Sequence, residues 1–130
     1  MRTITTLGMA VVLILTMSVS SYAKTKKEKM PPGVKVEKMV LTEKGMTLYT
    51  FDKDTTPGKS ACNGPCAKNW PPLAAAADAK PMGEWTVVTR DDGSKQWAYK
   101  GKPLYRFAKD TKPGDMTGDG FNSVWHTAKQ

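Results

Sequence analysis

Tyr49, Phe51 and Asp54 recur as Tyr105, Phe107 and Asp110 at a fixed offset of 56 residues. These are the first side chains in the chain whose types and spacing could do chemistry. A tyrosine two residues before a phenylalanine on a strand puts both rings on one face, because side chains alternate with period two. Such a pair is either a core and cross-strand platform or a surface on which a ligand stacks. The aspartate that follows is either a carboxylate fastening a turn through backbone N–H groups or an oxygen ligand for a cation.

Cys62 and Cys66 are the only cysteines. In an exported chain such a pair is most simply a disulfide. Closing so short a loop stabilises by about 2 kcal/mol on the chain-entropy model. A reducible Cys62–Cys66 bond is the redox alternative, although neither a thioredoxin-type C-x-x-C nor a haem-attaching C-x-x-C-H is present. Asp110, Asp115, Asp119 and Asn122 fall among glycines within one short stretch. A hard divalent cation wants such converging oxygens, but the spacing is not that of an EF-hand. His126 is the only histidine, so with both cysteines oxidised a closed zinc site cannot be assembled. Copper held by His126 with Met116 or Met46 requires a proximity that sequence does not display. Trp70, on a stiff Pro71-Pro72 segment, and Trp125 are candidate ligand contacts.

Catalysis is less well served. Asp91 and Asp92 are adjacent carboxylates in a hairpin turn, where aspartate is expected for conformational reasons. Ser60, Ser94 and Ser123 lie in no nucleophile-elbow context and have only His126 as a base. The expectation is a protein that is not an enzyme and needs no cofactor, a divalent cation being the alternative.

The elements that must position these groups follow from the repeat. Gly45 to Gly58 and Gly101 to Gly114 are identical at nine of fourteen positions, which marks two copies of one supersecondary unit. Residues 1–23 read as a signal peptide: Arg2, an apolar run from Leu7 to Val19, then Ser21-Tyr22-Ala23. Residues 24–34 read as a basic, proline-rich tether. Residues 35–130 read as one domain, with repeats at about 36–73 and 85–128. Val34 to Leu41 alternates as a strand, Thr42 to Gly45 is a turn, and Met46 to Phe51 returns. Ala74 to Met82 is a loop with at most one helical turn. In the second half Trp85 to Arg90 and Lys95 to Tyr99 flank an Asp-Gly turn. Pro103 to Phe107 and Ser123 to Ala128 supply further strands. Short strands with glycine turns predict an all-β class: a small antiparallel sandwich or barrel-like sheet built from two pseudo-repeated hairpin units.

The formal net charge is +8. Removal of residues 1–23 leaves 19 basic and 12 acidic residues, a net +7. Outside the cytoplasm that excess favours an envelope component or an anionic surface such as phospholipid headgroups. Nucleic acid is not an expected partner there, and no transmembrane span remains after signal cleavage. Dispersed lysines are otherwise an ordinary solvated surface.

The two copies, Tyr49-x-Phe51-x-x-Asp54 and Tyr105-x-Phe107-x-x-Asp110, resemble the bacterial secreted-repeat lipoprotein family marked by a Tyr-x-(Phe/Trp/Tyr)-x-x-Asp motif. The resemblance runs from Val36 to Ala128 and takes in Trp70-Pro71-Pro72-Leu73, the Asp92-Gly93 turn, Pro103-Leu104-Tyr105 and Trp125. It departs in one respect, since no lipid-attachment cysteine follows Ala23. It implies a periplasmic or secreted protein whose family has no assigned biochemical role. Together these readings lead to the expectation of a non-catalytic binding or structural module of the envelope, with metal binding or redox handling as the second hypothesis.

Overall fold

Val34–Glu37 (β1) and Val40–Glu43 (β2) form an antiparallel hairpin that reverses at Lys38 and Met39. The structure, a computed structural model, describes residues 29–130, so the expected signal peptide and residues 24–28 of the tether lie outside the described residues. The reversal divides what the sequence reads as one strand from Val34 to Leu41. Lys38 and Met39 both take positive φ, 53° and 72°, where a two-residue hairpin ordinarily uses Asn-Gly. No turn residue announces the break.

A second turn at Lys44 and Gly45 leads into Met46–Thr47 (β3), which pairs with β2. Tyr49–Phe51 (β4) leaves that sheet and pairs instead with Trp125–Thr127 (β9). The strand expected from Met46 to Phe51 is therefore two, hinged at Leu48. Pro65–Asn69 (α1) is one short helical turn with proline at its start, where the missing N–H costs nothing and φ is already set. Helix thus falls here rather than in the Ala74 to Met82 loop. Ala74–Ala75 (β5) runs beside Lys95–Tyr99 (β7). Trp85–Thr89 (β6) pairs with β7 through the expected Asp-Gly turn, and Lys102–Pro103 (β8) pairs with the end of β7. Among the described residues the result is all-β and sandwich-like, with three small antiparallel sheets and no closed barrel.

The halves interlock about a local two-fold axis. Tyr49 and Tyr105 exchange backbone hydrogen bonds, Tyr49 N–H to Tyr105 O at 2.8 Å and Tyr105 N–H to Tyr49 O at 3.0 Å. Ala128 N–H donates to Leu48 O at 2.8 Å, and Leu73 N–H donates to Leu104 O at 2.9 Å. Asp52 N–H donates to Val124 O, and Ala108 N–H donates to Asn69 O, each at 2.8 Å. Each of these bonds has its counterpart in the other half, and each crosses between halves. Each repeat's Tyr-x-Phe strand is closed by the other repeat's C-terminal strand.

Side-chain alternation through Leu48-Tyr49 and Leu104-Tyr105 feeds two cores. Leu48 and Leu104 join Val34, Leu41, Leu73, Trp85, Trp97, Tyr99 and Ala128 in one. Tyr49 and Tyr105 join Cys62, Trp70, Phe107 and Trp125 in the other. Because opposite faces are both buried, neither strand shows a polar stripe. Met30 packs on the first core and Pro31 is buried, so the described end of the tether lies against the domain.

Candidate functional site

Both repeat motifs meet in the second core, and their hydrogen bonds are exchanged. The Tyr49 hydroxyl donates to Asp110 Oδ2 at 2.5 Å, and the Tyr105 hydroxyl donates to Asp54 Oδ2 at 2.7 Å. Each tyrosine thus uses the aspartate of the other repeat. The second carboxylate oxygen fastens its own loop at the same spacing in each half. Asp54 Oδ1 accepts Ala61 N–H at 2.6 Å, and Asp110 Oδ1 accepts Thr117 N–H at 3.0 Å together with the Thr117 hydroxyl. Burial, reinforced by the aspartate partner, raises both tyrosine hydroxyls above their ordinary pKa. Burial also raises Asp54, against the pull of Ala61 N–H, Tyr105 and Arg90.

Trp70 and Trp125 stack face to face across the axis, with centroids 3.8 Å apart and planes at 3°. Phe107 stacks on the outer face of Trp70 at 4.0 Å and Phe51 on that of Trp125 at 4.1 Å. Tyr49 and Tyr105 meet the indoles edge-on at 5.4 Å and 5.2 Å. Offset and edge-on aromatic contacts of this kind add about 0.5–1.5 kcal/mol each beyond burial. Trp70 is 4% exposed and Trp125 3%, so the two rings named as ligand contacts touch one another and the phenylalanines rather than solvent. Gly118 is obligatory beneath them: a Cβ there would lie 2.7 Å from Trp70 and 2.9 Å from Phe107.

The halves differ in how the loop after the aspartate is held. In the first, Cys62 and Cys66 form a disulfide, and Arg90, only 6% exposed, clamps the loop. Its guanidinium donates to Cys62 O at 2.7 Å, Gln96 Oε1 at 2.8 Å and Ser60 Oγ at 3.0 Å. Ser60 Oγ lies 2.6 Å from the Tyr105 oxygen. Since Tyr105 gives its single proton to Asp54, Ser60 is the donor of that pair. Ser60 therefore has no base beside it and is bonded on every side. Sequence reasoning missed Arg90 and Gln96. A polar side chain facing inward on β7 carries no local signal, because that strand is buried on both faces from Gln96 to Tyr99.

In the second half the acidic loop is held by the backbone. Asp115 Oδ2 accepts the N–H groups of Thr111 and Lys112 at 3.0 Å each, and Asp119 Oδ1 accepts Thr127 N–H at 3.1 Å. Asn122 is exposed in the Phe121–Ser123 turn at φ 50°. His126 Nε2 lies 2.8 Å from Asp52 Oδ2, outside the loop. Asp110, Asp115, Asp119 and His126 are thus directed at separate partners. Among the described residues no group of three or more His, Cys, Asp or Glu is placed to hold a metal ion. His126 and Met116 line different clefts.

The cleft containing His126 has a volume of about 300 Å³ and lies between the β4–β9 pair and the β7–β8 turn. Thr50, Asp52 and His126 form one wall, Lys100 and Lys102 the other, with Lys129 at the rim and Tyr99, Leu104 and Ala128 between. Arg106 pairs with Glu43 and His126 shares a hydrogen bond with Asp52, and among the described residues no carboxylate lies within ion-pair distance of these three lysines. No helix among the described residues is long and apolar enough to cross a membrane.

No curated protein and no solved structure matches this sequence. One family does, described as a secreted repeat of unknown function, and it matches twice, over residues 36–74 and 86–129. Those spans are the two interlocked halves, each containing one complete Tyr-x-Phe-x-x-Asp motif. The chain belongs to this family of secreted repeats and is a secreted or periplasmic protein.

Proposed function

We propose that the protein is a non-catalytic binding module of the cell envelope, in which the repeat motif builds a rigid scaffold and the basic surface meets an acidic partner. One observation carries this reading: the motif's polar atoms are spent on each other. Both tyrosine hydroxyls and both aspartates are hydrogen-bonded within the fold, and a general acid, base or nucleophile needs a lone pair or proton left for substrate. What remains for a partner is the outer surface, whose charge is positive. Each lysine near an anionic surface contributes about 1 kcal/mol, and the attraction is screened within about 10 Å at 0.1 M salt.

Co-sedimentation of the protein with phosphatidylglycerol vesicles, against phosphatidylcholine vesicles, tests the reading. Binding to the anionic vesicles that falls as sodium chloride is raised supports it. Equal binding to both, or none to either, removes the electrostatic contact on which it depends.

A further inference from the structure

The interlocked halves allow one surface to be compared with its twin. The β7–β8 turn at Lys100-Gly101 repeats the β2–β3 turn at Lys44-Gly45, with φ of 51° and 83° against 54° and 86°. Thr50 occupies the place of Arg106, and Tyr99 that of Glu43. In the first half Arg106 and Glu43 close on each other at 2.7 Å, so the charge there is spent internally. In the second half both partners of that ion pair are gone. His126 and Thr127 stand for Pro71 and Pro72, and Lys129 for Ala74. The twin surface has become a cleft lined by Lys100, Lys102 and Lys129, which among the described residues have no carboxylate partner; Lys100 Nζ lies 5.3 Å from the centroid of the Tyr99 ring.

We propose that this cleft is a binding site for a phosphate monoester, a proposal that rests on the reading of the protein as a module for acidic partners. The charge fits. Lys100, Lys102 and Lys129 against the single Asp52 carboxylate leave a surplus of two positive charges, and a phosphate monoester carries about −1.5 to −2 at neutral pH. A single carboxylate ligand would leave that surplus half unmet. Lysine suits phosphate as a compact point charge with three donors. One oxygen of Asp52 is taken by His126 at 2.8 Å. Tyr99, Leu104 and Ala128 give the organic part of the ester an apolar wall. The volume, about 300 Å³, is at the lower end for ligand sites and suits a small group such as a phosphorylated glycerol or the headgroup of a phosphatidic acid.

The test is calorimetric titration of the wild-type chain and of a Lys100→Glu/Lys102→Glu variant with glycerol 3-phosphate. It runs beside co-sedimentation of both with vesicles of phosphatidic acid and of phosphatidylglycerol. Both lysines are exposed at a turn, and near-ultraviolet circular dichroism verifies that the variant keeps its aromatic packing. Saturable binding of glycerol 3-phosphate, weakened at least about 10-fold in the variant, supports a soluble ester as ligand. Binding to phosphatidic acid vesicles alone, lost in the variant, supports the lipid headgroup. If wild type and variant bind phosphatidylglycerol vesicles equally and neither takes a phosphate monoester, the cleft is not the site while the envelope-binding reading stands. If nothing binds to the wild type, both fall together.

Discussion

Removing one oxygen from Tyr49 separates the roles of the two motif tyrosines. In Tyr49→Phe the ring, fully buried, keeps its edge-on contacts with Trp70 and Phe107. Lost are the bond to Asp110 Oδ2 at 2.5 Å and the acceptor for Gly118 N–H at 3.2 Å. A hydrogen bond to a charged group is worth about 1.5–3 kcal/mol, and a buried N–H left without a partner adds about 1–3 kcal/mol. With partial relaxation the expected cost is about 2–4 kcal/mol. Tyr105→Phe removes a bond of 2.7 Å to Asp54, but Asp54 is only partly buried and water can take the vacated position. Its companion Ser60 loses the Tyr105 oxygen as acceptor but can turn its hydroxyl to Cys62 O at 3.5 Å, and it still accepts from Arg90 and Cys62 N–H. The expected cost is about 1–2 kcal/mol. Urea unfolding followed by tryptophan fluorescence reads both, with midpoints converted by linear extrapolation. A Tyr49→Phe/Asp110→Asn double-mutant cycle should add a coupling of about 1–2 kcal/mol. If Tyr105→Phe costs as much as Tyr49→Phe, water does not replace the lost bond at Asp54 and the difference drawn between the two sites is wrong; if Tyr49 and Asp110 are additive within about 0.5 kcal/mol, the exchanged hydrogen bond does not hold the halves together.

Gly118→Ala should destabilise by about 1–3 kcal/mol, the usual penalty of overpacking, because its Cβ would press on Trp70 and Phe107, rings already stacked at 4.0 Å; a thermal midpoint within one degree of wild type would contradict the packing described. Lys38→Asn/Met39→Gly should raise stability by about 1 kcal/mol, since both residues occupy left-handed backbone that Asn-Gly prefers; a lowered thermal midpoint would refute this. Burial keeps Tyr49 and Tyr105 protonated above their ordinary pKa of 10.0, so the unfolded chain releases protons that the folded chain holds. Stability from these groups is full below pH 10 and falls as pH rises beyond it, by about 1.4 kcal/mol per pH unit for each tyrosine. Phenolate absorbance that develops with unfolding, rather than before it, is the expected record.

The Gly45 and Gly101 repeats announced two copies of one unit, and the Asp91-Asp92-Gly93 turn announced the β6–β7 hairpin. Cys62 and Cys66, the only cysteines of an exported chain, paired as expected. What the repeat could not disclose was the exchange, because Tyr49 stands at the same spacing from Asp54 as Tyr105 does from Asp110, and local sequence is silent on whether a motif closes on itself or on its twin. Lys38-Met39 hid a turn because it uses no turn residue. Trp70, on its Pro71-Pro72 segment, and Trp125 read as candidate ligand contacts because local sequence does not show what covers a ring, yet two indoles brought together on the axis bury each other. The cleft was illegible for a related reason: Thr50, Lys100 and His126 lie on three segments that only the exchanged strands bring side by side.

The most direct test of the account is a two-dimensional NMR titration of the labelled chain with glycerol 3-phosphate and with phosphatidic acid vesicles. If the cleft takes the phosphate, the amide signals of Thr50, Lys100, Lys102, His126 and Lys129 move together and saturate, while the indole N–H signals of Trp70 and Trp125 stay where they are. Movement centred on those indoles, with the lysine turn unmoved, would mean that the aromatic stack is the contact and the cleft is only surface.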